Sequence, residues 1–266
     1  MIRKNNVKKL LNSGAAVIGT FVTLTDPAVV EILGLLGFDF IVIDNEHVAM
    51  DRSSVVNLIR ASEISSSNIV PIVRTKDSST IEVTQMLDSG ALGVQVPGVN
   101  TYEMAKKVVD ASYYAPIGNR GLGTAQRSIG YGTMDKFKFF KTANDETLTV
   151  VQCESLEAIE NLDEILNIDE IDVVFIGAMD LSQSMGPDIM GNRNHPDLVR
   201  LFNETVQKIT AKGKIAGGAS WSIEETRKLY EIGIRYFTIG NDVAFLKESA
   251  SRKLKLFCES LKLQSL

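Results

Sequence analysis

The feature that most constrains this chain is an alternation that runs along its whole length. Eight short runs rich in β-branched residues are each followed by turn or cap residues and then by a stretch of helical period. The predicted strands are "VIGTFVTL" (17–24), "FIVIDNE" (40–46), "VPIVRT" (70–75), "GVQVPGV" (93–99), "LTVVQCE" (148–154), "VVFIGA" (173–178), "KIAGGAS" (214–220) and "YFTIGN" (236–241). The helices between them carry their own punctuation. In "DPAVVEILGLLG", Asp26 is a predicted N-cap, Pro27 takes the first helical position and Gly37 lies past the end. "SIEETRKLYEIG" repeats the arrangement with Ser222 and Gly233. Eight β–α units in strict alternation within 266 residues fit an α/β fold of one kind, a single-domain (β/α)8 barrel over 1–266, better than an open doubly wound sheet.

The basic start, "MIRKNNVKKLLNSG", reads as a short amphipathic lead-in helix, because no apolar segment or small-residue cleavage site follows it. No apolar run approaches the ~18 residues of a membrane span. A net charge of -5 leaves no electrostatic footprint for nucleic acid or an anionic membrane, so small molecules are the expected partners. Cys153 and Cys258 are too few for a disulfide framework and lack zinc-site spacing, which points to a reducing cytoplasm. One connection is long: "SYYAPIGNRGLGTAQRSIGYGTMDKFKFFKTANDET" (112–147) has no evident strand and is expected to form an active-site loop, a lid or a wall of the pocket.

A barrel of this kind carries its chemistry at the C-terminal ends of its strands, and four of the eight ends bear reactive groups. The second ends in Asp44, Asn45, Glu46 and His47; the third carries Arg74; the fifth carries Gln152 and Glu154; the sixth runs into "GAMDLS" with Asp180. Alternation along the fifth strand puts Val150, Gln152 and Glu154 on one face and Val151 and Cys153 on the other. With Gln152 and Glu154 facing the axis, Cys153 faces the helices as a packed thiol. Glu154 and Asp180 then either bind a hard, oxygen-preferring divalent cation, Mg2+ ahead of Mn2+ or Co2+, or pair with Arg74 and cap helices. His47 is either a general base oriented by Asp44 or a structural histidine, and Asn45 has no evident role. His195, before a proline, reads as a surface residue; Lys76 reads as a solvated lysine rather than a Schiff-base former. "GNRGLG" (118–123) is a weak phosphate-loop signal without a leading strand.

In order along the chain, "GFDFIVIDNEH", "PIVR", "GNRGLG", "VQCES" and "FIGAMDLSQSMG" resemble the signatures of the HpcH/HpaI aldolase family. These are class II, metal-dependent pyruvate aldolases of the 4-hydroxy-2-oxoheptanedioate and 2-keto-3-deoxy sugar acid type, related to the citrate lyase β subunit. The resemblance runs from about Gly19 to Leu246. It implies that Glu154 and Asp180 bind the cation, that Glu46 holds metal-bound water, and that His47 with Asp44 forms an acid/base dyad. It further implies that Arg74 stabilises the enolate oxygen, that Gln152 contacts the pyruvate-like substrate, and that backbone N–H groups around Ala178, Met179 and Asp180 receive its carboxylate. It also implies a hexamer in which the last helix, within "VAFLKESASRKLKLFCESLKLQSL", is exchanged between subunits. The chain departs from the family pattern at Ala178 and Met179, where Pro and Ala are common, and at Asn45, where Gly is common. The expected reaction is reversible cleavage of a 4-hydroxy-2-oxo acid to pyruvate and an aldehyde. A citrate-type lyase or synthase acting with an acyl-CoA, and a non-catalytic binding barrel, are the alternatives.

Overall fold

A computed structural model describes residues 3–64 and 69–261 of the chain. Eight parallel strands close into a barrel in sequence order: β1 (Val17–Val22), β2 (Phe40–Asp44), β3 (Val70–Arg74), β4 (Gly93–Val96), β5 (Leu148–Cys153), β6 (Val173–Ile176), β7 (Ile215–Ser220) and β8 (Ile234–Asn241). The predicted architecture is therefore the observed one, with shifts at several ends. β2 stops at Asp44 and "NEH" forms the turn beyond it; β8 begins at Ile234; Ala178 opens the helix Ala178–Ser184 instead of closing β6.

Alternate residues of each strand fill two separate apolar layers. Val17, Val42, Ile72, Val150 and Val173 pack in the barrel interior with Phe40, Phe175 and Tyr236. Ile41, Ile43, Val73, Val151, Cys153 and Val174 pack outward against the helices. Cys153 thus lies where alternation puts it, and burial pushes its thiol up to about 12, the wrong direction for a nucleophile. Inside the barrel the ring of Phe40 stacks on Tyr236 with centroids 4.3 Å apart, and Phe175 meets Tyr236 edge-on at 6.2 Å. Glycine provides the room for these rings: a Cβ on Gly19 would come within 2.4 Å of the Phe40 ring. Large residues on some strands are matched by missing side chains on others, as filling a closed barrel requires.

The N-terminal helix Asn6–Asn12 stoppers the lower end. Val7 and Leu11 join the interior cluster, while Lys8 Nζ reaches Asp172 Oδ1 at 3.0 Å and donates to the Thr147 carbonyl at 2.6 Å. The long segment 112–147 lies at this same lower end, which corrects the expectation that it walls this chain's own catalytic mouth. It leaves the helix Tyr102–Ser112 and re-enters at the start of β5, so both of its ends sit below the barrel. It forms a 3-10 turn (Arg127–Gly132) and a helix (Lys136–Glu146). Arg120 Nη2 contacts Asp88 Oδ1 at 2.6 Å and Arg127 donates to the Ser89 carbonyl at 3.1 Å, both just before β4.

In the C-terminal helix Asp242–Leu261 only Asp242 is fully buried, Phe245 packs partly against the core, and most of the remaining length is exposed. The outer face of β1 is correspondingly bare at Ile18, which is 42% exposed. Residues 262–266 of the predicted exchanged segment lie outside the described residues.

Gly19→Val is expected to overpack the Phe40–Tyr236 stack and cost about 1–3 kcal/mol, measured as a lower denaturation midpoint at unchanged slope.

Candidate active site

Strand register brings the first two reactive ends together. Asp44 and Arg74 are direct partners at the ends of β2 and β3, and Arg74 is in turn the partner of Gln95 on β4. Arg74 Nε donates to Asp44 Oδ1 at 3.0 Å and Nη2 to Oδ2 at 2.7 Å, a bidentate pair with both side chains largely buried. The guanidinium lies over the ring of Phe21 from β1, 4.7 Å from its centroid. Burial alone would raise the Asp44 carboxyl. The hydrogen bonds and charge of Arg74, with the Glu46 and His47 backbone N–H groups, outweigh it and hold Asp44 below the ordinary carboxylate range.

Those backbone contacts shape the turn. The N–H groups of Glu46 and His47 donate to Asp44 Oδ1 at 3.1 and 3.3 Å. The expected dyad is arranged differently from the sequence reading, because Asp44 holds the His47 main chain while its carboxylate is occupied by Arg74. The His47 imidazole, 61% exposed, faces Glu46 instead, with Nε2 3.7 Å from Glu46 Oε2. Glu46 Oε2 also lies 3.1 Å from Arg74 Nη1. Burial raises the Glu46 carboxyl; Arg74 and His47 lower it, and the charges of Glu154 and Asp44 add to the rise. Asn45, unexplained in the sequence, turns away from the mouth. Its N–H donates to the Arg74 carbonyl at 3.1 Å and its Nδ2 to Glu82 Oε1 at 2.9 Å, tying the turn to the helix Thr80–Asp88.

Glu154 occupies the opposite side of the mouth with both oxygens engaged. Oε1 accepts from the Gly98 N–H at 2.7 Å and Oε2 from Gln152 Nε2 at 2.6 Å. Burial raises its carboxyl, the two donors lower it, and the charge of Asp180 raises it further. Asp180 stands exposed in the first turn of the helix Ala178–Ser184, where the N–H groups of Ala178, Met179 and Asp180 precede the first intrahelical donor, Leu181, which bonds the Gly177 carbonyl. A Cβ on Gly177 would lie 2.8 Å from both Cβ and Oε2 of Glu154, so this position must stay bare. Met179, half-exposed, borders the opening.

The structure therefore gathers Asp44, Glu46, His47, Arg74, Gln152 and Glu154, with Asp180 close enough for its charge to act on Glu154. It leaves Lys76 exposed on the loop after β3 and "GNRGLG" at the opposite end of the barrel. His195 caps the helix Pro196–Ala211, its Nδ1 accepting from the Asp197 N–H at 3.3 Å. Three contributors escape the sequence reading. Gln95 is an inward polar residue on a strand that otherwise reads as apolar. Phe21 is an aromatic in an apolar run. Gly98, at φ +60°, takes a left-handed conformation that glycine accepts freely. "VPGVN" carried that last signal, because glycine after proline marks a turn.

The model of the family described as "HpcH/HpaI aldolase/citrate lyase" matches residues 17–246. The chain is 36% identical over 243 residues to a hydroxypyruvate/pyruvate aldolase of Roseobacter denitrificans, covering 91% of this chain and 93% of that one. It is 34% identical to a 2-keto-3-deoxy-L-rhamnonate aldolase of Klebsiella pneumoniae, covering 95% and 93%. Among solved structures, that of the citrate synthase SbnG superposes with a TM-score of 0.86 at 28% identity, covering 96% of this chain and 98% of that one.

Asp44→Asn is expected to cost about 3 kcal/mol at neutral pH, the low end for a broken buried pair because Glu46 remains beside Arg74. Since the folded-state value of Asp44 lies below its unfolded one, the wild-type advantage is present above the ordinary carboxylate range. It is lost as pH falls through the lowered value. Denaturation of both proteins at several pH values checks this; a gap that stays constant on acidification contradicts the assignment.

Proposed function

Because the chain belongs to the HpcH/HpaI aldolase/citrate lyase family, we propose that its barrel mouth cleaves a 4-hydroxy-2-oxo acid reversibly to pyruvate and an aldehyde. The protein is an aldolase, a carbon–carbon lyase. The observation that carries the substrate reading is the opposition, across one mouth, of a locked Arg74 and an exposed His47 to the carboxylates Glu154 and Asp180.

Glu154 and Asp180 suit a hard divalent cation, Mg2+ before Mn2+ or Co2+. Both are oxygen donors, Glu154 is partly buried beside a like charge, and no third His, Cys, Asp or Glu converges on them among the described residues. Such a cation, when bound, supplies Lewis-acid polarisation of the 2-oxo group. The chain's own groups do the rest. N–H groups of Ala178, Met179 and Asp180 receive the substrate carboxylate, and Gln152 contacts the oxo-acid end. His47 takes the proton of the 4-hydroxyl; the C3–C4 bond breaks, its electron pair passes into the pyruvate enolate, and the aldehyde departs. Arg74, unable to swing because Asp44 and Phe21 hold it, faces the enolate oxygen until C3 is protonated. Glu46 stands between Arg74 and His47 and orients the imidazole. Met179 borders the space for the aldehyde, where Ala is common in the family.

The expected assembly is a homo-oligomer, a hexamer by resemblance, with the C-terminal helix exchanged. Leu246, Leu254, Phe257 and Leu261 are exposed on that helix, which supports its packing on a neighbouring copy. Two unpaired cysteines fit a cytoplasmic setting, and no described helix is long and apolar enough to cross a membrane.

A screen of 4-hydroxy-2-oxo acids of different length with Mg2+, Mn2+ or Co2+, coupled to pyruvate detection, should give turnover that EDTA abolishes and metal restores. Pyruvate from none of them would favour the citrate-type reaction instead. His47→Ala should lower kcat by about 10²–10⁴-fold with the fold intact by circular dichroism; an unfolded variant would make the histidine structural. Light scattering after gel filtration should return several times the mass of one chain. Deleting the C-terminal helix should reduce the assembly.

A further inference from the structure

Beneath the mouth, a line of polar groups crosses the otherwise apolar barrel. Tyr236 Oη on β8 donates to Gln95 Oε1 at 3.3 Å, Gln95 Nε2 donates to Gln152 Oε1 at 2.7 Å, and Gln152 Nε2 donates to Glu154 Oε2 at 2.6 Å. Tyr236 and Gln95 are wholly buried and Gln152 nearly so. Two amides in a hydrophobic interior carry a desolvation cost that packing alone does not require, since Val or Leu would fill β4 at that position.

The polarity of the line is forced from its end. An ionised Glu154 only accepts, so Gln152 must present its NH2 to it. The Gln152 carbonyl oxygen then points at Gln95, which must offer NH2 in turn. The Gln95 oxygen finally needs a donor, and burial keeps the Tyr236 hydroxyl protonated. Reversing any one amide sets two oxygens against each other at hydrogen-bond distance. Glu154 alone would engage one end of the Gln152 amide; Gln95, held by Tyr236, engages the other, so the amide is fixed at both ends.

We propose that Gln95, anchored by Tyr236, is a positioning residue that locks the Gln152 amide so that it meets the oxo acid as a hydrogen-bond donor. One Nε2 hydrogen of Gln152 serves Glu154, and the second is left for a substrate oxygen. Gln95 touches no substrate and acts only through Gln152. This assignment rests on the aldolase reading of the mouth and specifies which end of Gln152 does the recognising.

The test is pyruvate binding to the full-length, metal-supplemented protein by calorimetry, with steady-state kinetics alongside. Gln95→Met, close in volume and unable to hydrogen-bond in the line, should weaken pyruvate binding about tenfold and raise KM more than it lowers kcat, the pattern of a lost ground-state contact. Tyr236→Phe, which keeps the ring on Phe40 and removes only the hydroxyl, should move binding the same way by a smaller factor. In a Gln152→Met background, Gln95→Met should cost nothing further, because the group it positions is gone. A purely structural role would instead add its loss to that of Gln152→Met. Wild-type binding of pyruvate with unchanged affinity in Gln95→Met and Tyr236→Phe, or fully additive losses, overturns the relay and leaves the aldolase reading standing. Pyruvate failing to bind the wild type overturns that reading and the donor assignment with it. Should Gln95→Met not unfold cooperatively, Tyr236→Phe carries the comparison.

Discussion

The in-register ion pair between Asp44 and Arg74 is the contact on which the rest of the site depends. Parallel pairing sets the last residue of β2 beside the last residue of β3, and the two charges meet at the rim without any loop having to bend. Such a pair adds little net stability, because burying both charges consumes most of what their attraction returns. What it provides is geometry. The planar guanidinium, held along one edge by a carboxylate and on one face by Phe21, has a single orientation. The same carboxylate gathers two backbone N–H groups and sets the turn that carries Glu46 and His47. One acid thus holds Arg74 directly and His47 through its main chain.

Below that rim the interior divides by depth. Stacked aromatic rings and glycine gaps fill the middle, and Val7 and Leu11 of the N-terminal helix close the floor. The amide line from Tyr236 to Glu154 is the polar exception, and its termination at a carboxylate gives it direction. The barrel's packing and its polar line therefore share a side chain: Tyr236 is at once a ring in the stack and the donor that starts the line. A change in that layer reaches the mouth through hydrogen bonds as well as through volume.

The long segment 112–147 and the C-terminal helix show how far the consequences of one chain extend beyond its own mouth. The first is anchored by Arg120 and Arg127 to the lower ends of neighbouring helices, and its physical address follows from the direction of the chain: a connection from helix to strand begins and ends below the barrel. The second carries exposed leucines and a phenylalanine, and Ile18 of β1 is exposed as well. Both are apolar, and the proposed exchange between copies would bring them together.

Period-two and helical patterns were enough to read eight strands, their order and the inward face of β5, because burial on one side of a regular element writes itself into every second or every third to fourth residue. The reactive residues at strand ends were legible for the same reason: acids and a histidine after an apolar run have no other place in a barrel than its rim. What the chain alone left open were contacts between elements distant in sequence. Whether Asp44 would serve His47 or Arg74 depended on a neighbouring strand's register. The use of Asn45 depended on a helix thirty-odd residues away. The donor role of Gln95 depended on β5 and β8 closing around it, and the address of the long loop on which end of the barrel its anchors lie. Local pattern determined what each segment is; the closed barrel decided which side chains meet, since only closure brings the first and last strands, and the groups they carry, within hydrogen-bond reach.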